Sequence, residues 1–534
     1  MLTTLLLNLL FNFNPSVQIT MHDELSHLYA DSKFAEPRTE YSIITPRNTF
    51  AGVHLFVENV EIGSSIEIKS TEKGNWYQLL TVPVEENTGL SSRTEQFEGK
   101  ENPYVIRRAP FDIYEVLKPI ESDLIATSNS FALRFELDIP TGSEIGNRVV
   151  DLSIKNKNAV TVCKFHIETT SAVVPDSGKS TLPYTNWFDL TKMATYHNID
   201  PYGQVHWTMI DKYIELMKRG RQNTFWVSWS YFFSKELVLD KEKLKTHVQH
   251  FLDGGMHWIE GSPIASRANG NWSSPNLVLN IGGKLTNTEE GIQGLEIMST
   301  QIMEAIRDFG WEDQWIQHIA DEPTDTNAKE YALVSEVLRK TMPGIPIIEA
   351  TMSRELIGAV DIWCPQVQEY QNHMSFFKER QSEGSQVWTY TCLIPGGRWL
   401  NRMIDMERLR QVYFGWAASK YDIEGYLHWG LNQYKANPFE QSVVDHPAVP
   451  NTTNKLPAGD THVIYPGQGE PWSGLRFEAH RIGLEDYELL SQLKSKNLTA
   501  YHEIMDEIFH QYNDYEVDVK KYRKTKEVLL HLLN

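Results

Sequence analysis

The 534-residue sequence holds three cysteines, Cys163, Cys364 and Cys392. They are too few and too scattered for a disulfide framework or a zinc site, and they read as small buried hydrophobes. Positive charge is scarce as well: 50 Lys and Arg stand against 70 Asp and Glu, a formal net charge of −20. Nucleic acid and anionic membrane surfaces repel such a chain, so neither is expected as a partner. No segment reaches the ~18–20 apolar residues of a membrane span, so no membrane insertion is expected. Residues 2–11 are apolar, but the first basic residue is Lys33, no small-x-small cleavage site follows, and Asn8 and Asn12 break the run. The expectation is a cytoplasmic protein, with secretion as the alternative if this segment is a signal. The sequence also lacks a Gly-rich phosphate loop after the first candidate α/β strand, a G-x-S-x-G elbow and an H-E-x-x-H helix. Their absence removes the sequence support for nucleotide binding, serine hydrolysis and zinc hydrolysis. No metal and no cofactor are expected.

Aromatic residues, by contrast, are plentiful: 15 Trp, 23 Tyr and 22 Phe. Large cores use them, but indole also stacks on sugar faces. The length exceeds one hydrophobic core and predicts several domains. Residues 1–175 show strand-like alternation, for instance at 53–57, 65–69, 131–137 and 159–167, separated by turn glycines such as Gly63, Gly74 and Gly142. This pattern predicts an N-terminal β-sandwich. Residues 174–183, with two prolines among Asp, Ser and Gly, read as a linker. From 184 to 484 short apolar segments alternate with amphipathic helical stretches, the rhythm of a parallel α/β fold. Eight candidate strands lie near 187–196, 224–230, 258–261, 315–321, 345–351, 361–366, 386–392 and 425–429. Candidate helices include 204–219, 243–253, 291–309, 328–341 and 405–419. Eight strand–helix units predict a (β/α)8 TIM-like barrel, followed by a C-terminal helical tail over 485–534.

Barrel enzymes place their active sites at the C-terminal ends of the strands. The fourth candidate strand ends in Asp321-Glu322-Pro323, two carboxylates where such a fold does its chemistry. Side chains alternate along a strand, so both can face one pocket only if the regular strand stops at about Asp321. Pro323, which cannot continue a ladder, is consistent with that. An N-cap pair before a helix is the structural alternative. Other strand ends carry groups suited to sugars: Trp226 and Trp229 on the second, Trp388 and Tyr390 on the seventh, and His428, Trp429, Asn432 and Gln433 on the eighth. Tyr370 joins these as a further aromatic candidate. The expected site is thus Asp321 and Glu322 for catalysis, with Trp388, Tyr390, Trp429, Asn432, Trp229 and Tyr370 for substrate. His318 with the two carboxylates matches no metal-ligand spacing.

Several longer motifs go further. They are His318-Ile319-Ala320-Asp321-Glu322-Pro323; Val387-Trp388-Thr389-Tyr390-Thr391-Cys392 with Pro395 and Asn401; and Glu424-Gly425-Tyr426-Leu427-His428-Trp429-Gly430-Leu431-Asn432. Gly459-Asp460, Tyr465-Pro466-Gly467 and the run from Arg476-Phe477-Glu478 to Tyr487-Glu488 complete the set. Through them the chain resembles glycoside hydrolase family 123, the β-N-acetylgalactosaminidases, also known as domain of unknown function 4091. The resemblance implies a sandwich followed by a barrel, a glycan substrate, and retaining hydrolysis assisted by the substrate's own acetamido group. In that scheme Asp321 holds the acetamido N–H and Glu322 protonates the leaving oxygen, then activates water. Two alternatives stand beside it. One is another glycosidase, with Glu322 as acid and a distant carboxylate such as Glu369 or Glu424 as nucleophile or base. The other is a non-catalytic carbohydrate-binding barrel.

Overall fold

The computed structural model describes residues 17–121, 124–157 and 159–534; the apolar segment 2–11 lies outside them. Alternating apolar residues before Val174 build two five-stranded sheets. In the first, Gln18–Asp23, Thr49–Glu58, Ser130–Ile139, Asn75–Val84 and Phe111–Pro119 pair antiparallel in that order. In the second, the order is Glu40–Arg47, Ala159–Val173, Gly146–Asn156, Ser65–Ser70 and Leu124–Ile125, with the first pair parallel. Residues two apart on each strand, such as Val53, Leu55 and Val57 facing Val150, Leu152 and Ile154, share one buried core between the sheets.

Eight short parallel strands follow, at Tyr184–Asn186, Thr224–Val227, Trp258–Gly261, Trp315–Gln317, Ile348–Ala350, Ile362–Cys364, Gln386–Thr391 (broken at Trp388) and Tyr426–His428. Ladders join the second, third and fourth, the fifth, sixth and seventh, and the seventh, eighth and first. Single parallel bridges, Gln317 to Ile347 and Gln366 to Tyr390, connect these groups. Between the first and second strands side chains replace the ladder. Asn223 Oδ1 accepts the Tyr184 N–H at 2.9 Å, the Asn186 side chain donates to Gln222 Oε1, and the Gln222 side chain donates to the Asn186 backbone carbonyl.

Seven of the eight expected strands lie where the apolar runs put them. The first does not: the strand is Tyr184–Asn186, and residues Leu190–Tyr196 form a helix. Asp189 starts that helix by accepting the N–H groups of Thr191 and Lys192, so a cap interrupts what reads as one apolar run. The expected boundary at 484/485 falls inside a continuous helix, Leu475–Lys496. That helix crosses Leu409–Tyr421 at two glycines. A Cβ on Gly415 meets the Gly483 carbonyl at 1.8 Å, so only a residue without a side chain allows this approach. It also ties the two N-terminal sheets to the α/β part through buried ion pairs. Arg476 pairs with Glu115 at 2.7 Å, and Arg219 bridges Glu136 (2.6 Å) and Glu478 (2.8 Å). The run from Arg476 onward is therefore interface rather than site. Among the described residues, no helix is long and apolar enough to cross a membrane.

Candidate active site

The fourth strand stops at Gln317, four residues before Asp321. Glu322 then takes a left-handed backbone conformation, φ +49°. This turn breaks the strand alternation, and both carboxylates line one cavity of about 200 Å³. A non-glycine residue in this region carries strain that its surroundings must hold. Arg267 supplies part of that hold: its Nη1 donates to the carbonyls of Asp321 (2.9 Å) and Glu322 (2.7 Å). The Thr351 hydroxyl donates to the Pro323 carbonyl at 3.0 Å.

Trp187, Tyr390, Cys392, Trp429 and His446 contribute to the remaining walls. The Tyr390 hydroxyl donates to Glu322 Oε1 at 2.6 Å. Trp429 turns its indole N–H to Asp460 at 3.3 Å. The acids sit in a low-dielectric setting that disfavours charge. Burial first, then the neighbouring charges of Glu322 and Glu349, push Asp321 above the usual carboxylate range. Burial also raises Glu322, against the pull of the Tyr390 hydrogen bond. Two adjacent carboxyls so placed resist ionising together, which favours a shared proton and so acid–base work.

Beside the pair lies a buried Glu–His–Glu triad. His318 Nε2 meets Glu260 Oε1 at 2.8 Å, and Nδ1 meets Glu349 Oε1 at 3.1 Å. Burial alone lowers a histidine, but these two carboxylates prevail and push His318 up to about 10. Both ring nitrogens are thus engaged by carboxylates, which favours the charged imidazolium. Glu349 Oε2 accepts the N–H groups of Ile319 (3.1 Å) and Ala320 (3.0 Å) and the Tyr331 hydroxyl (2.9 Å). It thus grips the two peptides that lead into Asp321. Glu260 accepts from Thr185 (2.7 Å) and from the Trp187 indole (2.9 Å), fixing that wall of the cavity.

Of the expected substrate residues, Tyr390 and Trp429 reach the cavity. Trp388 stands on the same face as Tyr390 but two residues, roughly 6–7 Å, nearer the start of its strand, packed against Gly425. Three others require correction. Trp229 is buried in a short helix beyond its strand and stacks on Trp315 at 5.8 Å. Tyr370 is core, stacked on Phe377 at 5.7 Å. Asn432 is a clamp: its side chain accepts the Asp189 N–H (2.9 Å) and donates to the Asp189 carbonyl (3.1 Å). Trp187, Glu260, Arg267, Glu349 and Asp460 were not among the expected site residues. A lone Glu inside the apolar strands Trp258–Gly261 and Ile348–Ala350 was the signal that could have exposed two of them.

Comparison with known proteins bears on this geometry. The family model described as glycoside hydrolase 123, catalytic domain, matches residues 281–493. Among solved structures, a family 123 glycoside hydrolase from Clostridium perfringens, analysed for glycolipid glycan hydrolysis, aligns with a TM-score of 0.70. The identity is 12%, over 97% of each chain. An FMN-binding β-glucuronidase from Facaelibacterium prausnitzii aligns with a TM-score of 0.33 at 8% identity, over 88% of this chain and 61% of that one. A β-D-glucuronidase from Dictyoglomus thermophilum gives 0.35 at 11%, over 83% and 68%. The last two scores carry no structural argument. No curated protein matches the chain.

Proposed function

We propose, from the premise that this chain belongs to glycoside hydrolase family 123, that it releases terminal β-linked N-acetylgalactosamine with retention, by substrate-assisted catalysis. The ring of strands is read as a closed (β/α)8 barrel behind a β-sandwich. One observation carries the mechanism: the only carboxylates lining the cavity, among the described residues, are Asp321 and Glu322. A retaining enzyme that supplies its own nucleophile sets two carboxyls on opposite sides of the scissile bond, ~5–5.5 Å apart. Neighbours in sequence on one wall do not meet that demand, and a sugar that brings its own nucleophile removes it. Asp321 accepts the acetamido N–H and holds the carbonyl oxygen beneath C1. That oxygen attacks C1 as the glycosidic C1–O bond breaks and the leaving oxygen takes the Glu322 proton, forming an oxazolinium ion whose N–H stays hydrogen-bonded to the Asp321 carboxylate. Glu322, now a base, then draws a proton from the water that opens the ring.

The alternative nucleophiles fit poorly. Glu369 is held by Arg354 and His373 outside the cavity. Glu424 precedes the eighth strand, at the opposite end of the ring from Asp321, and accepts the Val387 N–H. Aryl β-N-acetylgalactosaminides with zero to three fluorines on the acetyl methyl test the reading. Rates should fall steeply with each fluorine, because the carbonyl oxygen loses nucleophilicity. A flat series, or equal turnover of the plain galactoside, would sink it.

A further inference from the structure

Two indoles wall the catalytic cavity, Trp187 and Trp429, and each gives its N–H to a buried carboxylate. Trp187 donates to Glu260 at 2.9 Å and Trp429 to Asp460 Oδ1 at 3.3 Å. A histidine lies against each carboxylate, His318 at 2.8 Å from Glu260 and His428 at 3.5 Å from Asp460. The two sets differ in charge. His318 is pushed up to about 10, so Glu260 has a counter-ion in contact. His428 is held neutral, well below its usual range, by burial and then by Arg402, Arg476 and His480. Its Nδ1 accepts the Gly430 N–H at 3.1 Å, so its one proton sits on Nε2, on the side of Asp460.

Asp460 is 0% exposed, and its Oδ2 finds no hydrogen-bond partner among the described residues. Burial pushes its carboxyl up to about 7, because the charges of Arg402 and Arg476 and the Trp429 hydrogen bond offset the lost hydration only in part. Cys392, which feels the same charge, is held well above its usual range and stays a thiol. A carboxylate so placed costs the fold stability, and an amide of the same size would accept the indole N–H without burying a charge. What the charge adds is a stronger acceptor for a wall of the cavity. The segment that carries it is fixed. Arg476 donates to the carbonyls of Gly459 (2.8 Å) and His462 (2.9 Å), and the Gln433 N–H to that of Thr461 (3.0 Å). Gly430 permits the approach, since a Cβ there would meet the Asp460 carbonyl at 2.8 Å. Trp429 is half-buried, and its ring, at the end of two rotatable bonds, needs such an anchor to keep one orientation.

We infer that Asp460 is a positioning residue: through the indole N–H it fixes Trp429 as the wall against which the terminal sugar packs beside Asp321 and Glu322. This rests on the proposed glycosidase reading. Asp460 itself does not line the cavity, so it acts only through the indole.

Asp460→Leu keeps the size of the side chain and removes the acceptor; Asp460→Asn keeps the acceptor and removes the charge. On an aryl β-N-acetylgalactosaminide, Asp460→Leu should lose about tenfold or more in kcat/KM, the scale of one charge-assisted hydrogen bond, and Asp460→Asn about threefold or less. In a Trp429→Phe background, which has a ring but no N–H, Asp460→Leu should cost less than about twofold further. Equal losses from Asp460→Leu in both backgrounds, or an Asn variant as impaired as Leu, overturn the proposal. A second measurement needs neither turnover nor the Leu variant. With 15N in the indole rings, the Trp429 N–H signal is assigned by its loss in Trp429→Phe. It should shift with pH in wild type, with a midpoint near the value of about 7 set by burial, and most of that shift should vanish in Asp460→Asn. A signal that titrates equally in both, or in neither, overturns the anchoring. A wild type that turns over no such glycoside, with the titration as expected, overturns the substrate reading and leaves the anchoring of Trp429 standing.

Discussion

Glu349 is the residue whose replacement separates a structural anchor from a bystander. Its Oε2 takes the amide protons of Ile319 and Ala320 and the Tyr331 hydroxyl, and its Oε1 takes a proton of His318. Glu349→Ala orphans two buried amides, at about 1–3 kcal/mol each, and strips the imidazolium of one of two counter-ions. Losing one partner of a buried pair costs about 3–5 kcal/mol on its own, and the two costs overlap because they share one network. A net loss of about 3–6 kcal/mol follows. Glu349→Gln keeps an oxygen for the amides and Tyr331 and turns its NH2 toward His318 Nδ1. The imidazole sheds that proton and accepts instead, so one negative and one positive charge vanish together. The residual cost is about 1–2 kcal/mol, one charge-assisted hydrogen bond exchanged for a neutral one. At roughly 2 °C per kcal/mol for a domain of this size, Tm should drop by about 6–12 °C for Ala and about 2–4 °C for Gln. Thermal melts followed by intrinsic fluorescence read this directly. Turnover should survive in Gln and be largely lost in Ala, because the peptides entering Asp321 are released only there. Equal Tm drops for the two variants, or an Ala variant as stable as wild type, refute the reasoning.

Glu322→Gln should slow hydrolysis of natural glycosides by about 10²–10⁴-fold while sparing substrates with good leaving groups; equal losses across leaving groups mark Glu322 as a binding residue only. Asp321→Asn should abolish most activity yet raise Tm above pH 7. The sign follows from linkage. Asp321 is raised in the folded protein, so the folded state binds more protons than the unfolded one from the ordinary carboxylate range upward, and stability falls as pH rises through that window. The Tm gain of the Asn variant should therefore shrink toward acid pH, and melts at pH 4 and pH 8 that differ equally from wild type would contradict it.

The parts of the fold that were legible are those whose physics is local. Alternation over 53–57 and 131–137 marked the layered sheets, and helical spacing marked Gln204–Arg219 and Ala328–Thr341 at their observed ends. The first strand was misplaced because Trp187, Phe188 and Leu190 read as one apolar run, whereas the Asp189 cap splits it. Asp321 and Glu322 were conspicuous as two charges ending an apolar strand. The means by which both face one cavity was not visible, since it depends on a positive φ at Glu322 and on Arg267, 54 residues away along the chain. Trp229 and Tyr370 show the limit from the other side. A strand end names an aromatic but not its direction, and a helical turn after Val227 carries Trp229 into the core.

Which carboxyl holds the shared proton follows from the neighbours of each. Intrinsic basicity favours Glu322, with a reference value of 4.5 against 3.8 for Asp321. The Tyr390 hydrogen bond opposes this. A hydroxyl donated to a charged carboxylate is worth about 1.5–3 kcal/mol in favour of ionised Glu322, more than the roughly 1 kcal/mol that separates the two reference acidities. No donor to the Asp321 carboxylate is found among the described residues, so in the free protein the larger effect puts the proton on Asp321. Substrate reverses it under the proposed mechanism, because an acetamido N–H needs a charged acceptor at Asp321, and the proton then passes to Glu322, where the leaving oxygen waits. The acetamido group thus supplies the nucleophile and also arms the acid. Tyr390→Phe tests this. Without the hydroxyl, Glu322 becomes the weaker acid. The alkaline limb of kcat/KM, set by loss of the proton the pair shares, should move up, by less than the change at Glu322 because Asp321 carries that proton in the free protein, and poor leaving groups should slow more than good ones. An alkaline limb that stays in place, with all leaving groups slowed alike, would show that Tyr390 shapes the cavity without tuning its acid.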